Sequence, residues 1–95
     1  MSRIIGVQVA SLTEEREKRL RSAAEELGFT SAWIAEDYFY AGAFSLASAV
    51  ARSTEKIQLG IGVINPYPRH PVLSAMESAA LDTVSKGRAI IGIGA

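Results

Sequence analysis

Short apolar segments alternate along the chain with longer segments in which apolar residues recur every three or four positions. The short apolar segments are residues 4–10, 31–35, 57–64 and 89–94. The longer segments between them are residues 11–27, 43–52 and 71–85. The first kind is typical of buried strands and the second of amphipathic helices. The pattern therefore predicts the order β-α-β-α-β-α-β, an α/β fold with a parallel sheet and right-handed crossovers.

Local signals delimit the three predicted helices. Ser11 and Thr13 are both suitable N-cap residues for the first helix, and Gly28 follows it as a C-terminal glycine. Pro71 suits the first turn of the third helix. The residues expected to face the sheet are Ala43, Ala47, Val50 and Ala51 in the second helix and Val72, Met76, Ala79 and Ala80 in the third.

The third strand differs from the others because it contains two glycines and runs into a proline-rich loop. Gly60 and Gly62 leave room for a flat ligand or for another backbone. Alternatively, they allow a β-bulge or tight packing against a helix. Asn65 and Pro66 end the strand, since proline cannot donate to a ladder and restricts the residue before it.

Composition narrows the classes of function. The 95 residues suffice for one domain, and 48% of them are hydrophobic, which is enough for a core. Ten basic and ten acidic residues give zero net charge, which argues against nucleic-acid binding. There is no cysteine, and a single histidine, His70, precludes a multi-histidine metal site within one chain. With neither a signal-peptide layout nor a membrane-spanning apolar run, we expect a cytoplasmic protein that does not bind membranes.

Polar residues follow the second strand, at the edge where parallel α/β proteins bind ligands. Glu36, Asp37 and Tyr38 come directly after its apolar residues. Two adjacent acids are poorly explained by packing, although an ordinary loop in which Asp37 caps a turn is equally compatible. Neighbouring residues of an extended chain point to opposite sides, so we expect only one carboxylate to face a pocket. This argues against a glycosidase-like pair of carboxylates.

The loop after the third strand offers further candidates. Arg69, at the start of the third helix, could hold an anion together with the helix dipole. The alternative is an exposed loop in which His70 lies near helix-capping geometry. Nearby aromatic residues could line a site for a ring, or cover the mouth of the sheet or an interface. These aromatic residues are Tyr38, Phe39, Tyr40 and Tyr67.

Glycine pairs in the third and fourth strands do not complete a nucleotide-binding motif. Gly60-x-Gly62 runs into Asn65 where the dinucleotide-binding fingerprint needs glycine, and Gly92-x-Gly94 is followed only by Ala95. A flavodoxin-like or other nucleotide-binding sheet therefore has only the strand order in its favour.

Several segments of the chain strongly resemble the bacterial luciferase-like superfamily. They are residues 24–37, 59–71, 81–88 and 92–95. The most specific part is N-P-Y-x-R-H-P after a glycine-rich strand. The resemblance covers essentially the whole chain and is greatest to the coenzyme F420-dependent enzymes related to methylenetetrahydromethanopterin reductase.

This resemblance implies a (β/α)8 TIM-type barrel that binds a deazaflavin or flavin for hydride transfer or monooxygenation. Family members carry a bulge with a non-prolyl cis peptide bond at the end of strand three, behind the isoalloxazine ring. The matching bond here is Gly62–Val63. By the same match, Gly62, Val63 and Ile64 would lie behind the ring, and Asp37 and Asn65 would contact its polar edge.

A polar residue after strand two contacts cofactor or substrate in the family, and it matches Asp37, with Tyr38 beside it. Asp37 and Tyr38 are therefore the candidate catalytic residues. Some relatives have histidine in this loop, but this sequence has none there, so the resemblance transfers no histidine-based proton transfer.

Four strands and three helices make only half of such a barrel. A complete barrel takes about 250 residues, and its cofactor phosphate is commonly held by loops after strands seven and eight. We therefore interpret residues 1–95 as one N-terminal half-barrel domain: a fragment, a truncated gene product or an engineered half. Open strand edges and an apolar inner face predict self-association, such as a homodimer that closes the barrel.

The sequence thus supports two hypotheses of different class. The first is the N-terminal half of an F420-dependent oxidoreductase, with FMN as the alternative cofactor and a small-molecule substrate. The second is a non-catalytic, self-associating half-barrel that binds no cofactor.

Overall fold

A computed structural model describes residues 6–8, 15, 18–19, 26–36 and 42–94. The strands are β1 (Gly6–Gln8), β2 (Ser31–Ile34), β3 (Gln58–Ile64) and β4 (Ala89–Ile93). The helices bounded within this part of the chain are α1 (Ala43–Ser53) and α2 (Pro71–Val84), which correspond to the predicted second and third helices. Neither is long and apolar enough to cross a membrane.

Most of the predicted first helix, including both proposed N-caps, lies outside the described residues. Within it, Glu15 and Arg19 are helical and form an exposed ion pair at 2.8 Å. Gly28 follows with φ +77°, the left-handed conformation expected of a glycine after a helix.

The four strands form one parallel sheet in the order β1-β2-β3-β4. Each strand pairs with the next one along the chain, so the predicted parallel α/β arrangement is confirmed. Closure of the sheet into a barrel, and the half-barrel domain from 1 to 95, stay predictions.

The core lies between this sheet and the two helices. Alternate residues of the strands point toward the helices, and the predicted face of α1 meets them. The buried apolar residues on the strands are Ala32, Ile34, Leu59, Ile61 and Ile64, and Ile57 is buried directly before β3. The buried residues of α1 are Ala43, Phe44, Ala47, Val50 and Ala51, which include all four predicted positions. We call the opposite side of the sheet the inner face.

The predicted apolar stripe of the third helix is wrong. Val72 and Met76 are 60% and 62% exposed, and Ala79 and Ala80 are exposed as well. The buried side of α2 instead carries Leu81, together with half-buried serines. Ser78 Oγ donates a hydrogen bond to the Ser74 carbonyl at 2.7 Å. Because its hydroxyl is satisfied by its own helix, a serine can lie against the protein where the sequence suggests a solvent-facing residue.

Arg88 links the amino-terminal ends of β3 and β4 to the ends of the two helices. Its guanidinium nitrogens donate hydrogen bonds to five acceptors between 2.7 and 3.2 Å. These acceptors are the carbonyls of Ala51, Thr54, Ile57 and Ser85 and the hydroxyl of Thr54. Burial lowers the pKa of Arg88, and the nearby Glu55 carboxylate opposes that shift. This end of the sheet is therefore held by the Arg88 guanidinium, whereas parallel α/β proteins of the barrel type bind ligands at the opposite end.

Candidate functional site

The carboxyl end of β3 departs from regular strand pairing. Ile61 pairs with Ile91 and Ile64 pairs with Ile93, so β3 has one more residue than β4 between the two pairs. The predicted bulge is therefore confirmed. The Gly62–Val63 bond, which lies within this register shift, is cis as the family resemblance implies.

Because of the extra residue, the side chains of β3 do not alternate regularly between the two faces of the sheet. Ile61 and Ile64 are both fully buried on the helix side, although they are three residues apart. Gly62 and Val63 lie on the inner face, where Val63 is 44% exposed. Ile64 could therefore reach a ligand on the inner face only with its backbone. Its cofactor-binding role stays a prediction in that restricted form.

Trp33 covers the glycines of β3. It pairs in register with Gly60, and a Cβ placed on Gly60 would lie 2.3 Å from the indole. A Cβ on Gly62 would lie 3.3 Å from the same ring. Gly60 is therefore needed for the tryptophan, and β3 does not present a bare backbone to a ligand at this position.

Val63 occupies the equivalent place over β4. A Cβ on Gly92 would lie 3.2 Å from its Cγ1, and a Cβ on Gly94 would lie 3.3 Å from its Cγ2. Trp33 and Val63 thus form an exposed apolar surface above the glycines of β3 and β4. We call these two side chains the inner platform.

Glu36, at the carboxyl end of β2, is engaged in an ion pair. Its Oε1 accepts a hydrogen bond from Arg69 Nη2, and both side chains are largely buried. The Arg69 guanidinium carbon also lies 5.0 Å from the centroid of the Phe44 ring on α1. Glu36 Oε2 is buried and has no hydrogen-bond partner in the part of the chain described. Because a carboxylate already neutralises Arg69, the predicted anion site is not favoured.

The loop between β3 and α2 is organised by local hydrogen bonds. His70 Nδ1 accepts a hydrogen bond from the backbone N–H of Val72 at 3.1 Å, so His70 caps α2. Asn65 Oδ1 accepts from the backbone N–H of Tyr67 at 2.9 Å. The capping alternative for His70 is therefore the one observed. The cofactor-binding role of Asn65 stays a prediction, and its amide oxygen already holds the turn.

The candidate catalytic residues Asp37 and Tyr38 lie outside the described residues, which omit 37–41. Their roles stay predictions, as do the alternatives for the neighbouring aromatic residues. The structure does account for Glu36, whose ion pair lies on the side of the sheet that carries α1.

Trp33 is not among the predicted site residues, although the sequence contains a signal for its position on the inner face. Ala32 and Ile34 alternate with Trp33, so two small or aliphatic core residues place the indole on the other face. A glycine at the paired position of the next strand then indicates where a large ring fits.

The comparisons with known proteins agree on one family. The family model described as luciferase-like monooxygenase matches residues 5–95. The chain is 47% identical over 78 residues to 5,10-methylenetetrahydromethanopterin reductase of Methanopyrus kandleri, a match covering 79% of this chain and 22% of that protein. It is 35% identical over 75 residues to limonene 1,2-monooxygenase of Rhodococcus erythropolis, covering 74% of this chain and 19% of the relative.

Solved structures agree with these sequence matches. The coenzyme F420-dependent tetrahydromethanopterin reductase of Methanopyrus kandleri superposes with a TM-score of 0.84 at 37% identity, covering 99% of this chain and 27% of that one. The oxygenating constituent of 3,6-diketocamphane monooxygenase of Pseudomonas putida, solved with FMN, has a TM-score of 0.81 and shows the shared fold at 21% identity. The chain spans about a quarter of the length of the reductases it matches. By its family match over residues 5–95, it belongs to the luciferase-like monooxygenase family.

Proposed function

We propose that this chain forms the cofactor-side part of an F420-dependent oxidoreductase, with FMN as the alternative cofactor. The observation that carries the proposal is the family match over residues 5–95, which spans every candidate site residue. The higher identity to reductases than to limonene monooxygenase favours F420. The cofactor would supply the hydride or monooxygenation chemistry, and the protein would bind and orient it.

The inner platform fits a planar ring. Its two side chains are apolar and partly exposed, and they lie toward the carboxyl ends of parallel strands, where ligands of such sheets bind. In this proposal Gly62, Val63 and the backbone of Ile64 lie behind the ring. Asn65 contacts the polar edge of the ring.

Asp37 and Tyr38 complete the proposed site from the loop after β2. Asp37 contacts the cofactor or the substrate, and Tyr38 lies beside it as the second catalytic candidate. The substrate is a small molecule that reaches the exposed side of the ring.

We also propose that two copies associate through their inner faces. Besides the platform, the inner face carries Ile90 of β4, which is 39% exposed. The edge strands of the sheet are β1 and β4. A facing copy would cover Ile90 and pair the strand edges.

Titration with F420 and with FMN, followed by calorimetry and by cofactor absorbance, tests the proposed function. We expect saturable binding that is weakened at least about tenfold by Val63→Asp, because a charge on the platform opposes an apolar ring. Val72→Asp is the matched control, since Val72 is also exposed but lies on the outer side of α2.

No saturable binding of either cofactor to the folded protein would overturn the proposal. If self-association persisted in that case, the non-catalytic half-barrel would be the better description. Equal loss of affinity in the Val63 and Val72 variants would also contradict the placement of the ring.

A further inference from the structure

We propose that the indole of Trp33 is itself the stacking surface for the ring of the ligand, a planar tricyclic heteroaromatic group. This inference rests on the proposed function and assigns a contact to a residue outside the family-derived site. The bound ring would therefore lie one side-chain layer above the glycines of β3.

The distances around Gly60 show how the indole is oriented. A Cβ on Gly60 would lie 2.3, 2.4 and 2.5 Å from Cε3, Cζ3 and Cδ2, three consecutive carbons of the six-membered ring. An approach in the plane of the ring would bring one carbon close and leave its neighbours about an ångström farther, because aromatic carbons are ~1.4 Å apart and splay away at 120°. Nearly equal distances therefore mean that Gly60 meets the face of the ring.

One face of the indole therefore rests on β3, and the opposite face points away from the sheet. Trp33 is 36% exposed, although it lies in the middle of a four-stranded sheet with paired strands on both sides. An open aromatic face of this kind suits offset stacking with another aromatic ring.

The indole is held in this orientation before any ligand arrives. Its Nε1 donates a hydrogen bond to Ser31 Oγ at 2.8 Å, and Ser31 is buried. Gly60 fits against one face, and a Cβ on Gly62 would lie 3.3 Å from Cε3 of the same ring. A ring that is already oriented loses little freedom on binding, which favours affinity.

Val63 extends the same surface toward β4 through its methyl groups above Gly92 and Gly94. The surface is apolar and lacks a charged side chain, so it selects for the flat body of a ring rather than for its phosphate or sugar substituents. A deazaflavin or isoalloxazine ring has the required shape and π-face.

The test compares affinities for F420, FMN and riboflavin, since riboflavin carries the ring without a phosphate. Trp33→Phe keeps an aromatic face and should bind each ligand within about threefold of the natural protein. Trp33→Leu has an apolar but non-aromatic side chain and should bind about tenfold more weakly. Circular dichroism confirms that each variant is folded.

A second measurement needs no variant, because Trp33 is the only tryptophan of the chain. Acrylamide quenching of its emission should fall by half or more when the ligand saturates the protein. Saturable binding with unchanged affinity in Trp33→Leu and unchanged acrylamide quenching would overturn this inference and leave the proposed function standing. Absence of binding by all three ligands would overturn both.

Discussion

Arg88 illustrates how much a single side chain can contribute at the end of the sheet opposite the proposed site. Its five hydrogen bonds join the end of α1, the start of β3 and the turn after α2. Burial lowers the pKa of its guanidinium, so the folded state binds that proton less tightly than the unfolded chain does. Because the unfolded chain binds the proton more tightly, this shift makes stability rise as the pH rises through the folded pKa.

We predict that Arg88→Ala lowers the free energy of unfolding by about 2–4 kcal/mol, because several buried carbonyls lose their donors. Arg88→Lys keeps the charge but not the planar set of five donors, and we expect it to lose roughly half as much. Urea unfolding followed by circular dichroism measures both changes.

Arg52→Ala serves as the control, since Arg52 is an exposed residue in the last turn of α1. Its loss should cost less than about 1 kcal/mol. Equal costs for the Arg52 and Arg88 variants would show that the hydrogen-bond network does not stabilise the fold.

At the scale of elements, one ion pair links the two loops that border the proposed site. Glu36 follows β2, while Arg69 belongs to the loop between β3 and α2 and also lies over Phe44 of α1. Loss of either partner leaves a largely buried charge without its counter-ion, which costs more than the net value of the pair.

We predict that Arg69→Met destabilises the protein by about 2–3 kcal/mol and that adding Glu36→Gln recovers part of this loss. A double-mutant cycle by urea unfolding measures the coupling between them. The control is Arg19→Met, because the Glu15–Arg19 pair has the same chemistry but is exposed and should contribute less than about 0.5 kcal/mol. Strictly additive effects of the Glu36 and Arg69 variants would contradict the proposed link.

The elements themselves follow largely from the sequence, since strands and helices of this chain differ clearly in apolar period. The period also predicts the buried face of α1, where alanines and Val50 alternate with polar residues. It fails for α2, because the period does not distinguish an outward apolar stripe from an inward one. Serines that bond to their own helix then replace apolar residues on the buried side.

The site is only partly predictable for a different reason. The bulge and the cis Gly62–Val63 bond follow from the family resemblance and are found. The ion pair between Glu36 and Arg69 joins residues 33 positions apart, and no local pattern relates them. The stacking of Trp33 on Gly60 requires the register between β2 and β3, which the sequence does not specify.

At the scale of the whole molecule, the two faces of the sheet differ in how the chain covers them. The helix side has a continuous core, whereas the inner face exposes Trp33, Val63 and Ile90. The outer side of α2 exposes a second apolar group, which includes Val72, Leu73 and Met76. Exposed apolar surface therefore exists on both sides, and self-association could in principle use either one.

We predict that the chain forms a dimer through its inner face, since only there do strand edges and apolar surface coincide. Ile90→Glu should raise the dimer dissociation constant at least about tenfold, because a carboxylate would have to be desolvated between the facing sheets. Leu73→Glu is the matched control, with 44% exposure against 39% for Ile90. Sedimentation velocity over a range of protein concentrations measures both. A dimer that is weakened by the Leu73 variant and not by the Ile90 variant would place the interface on α2 and contradict this prediction.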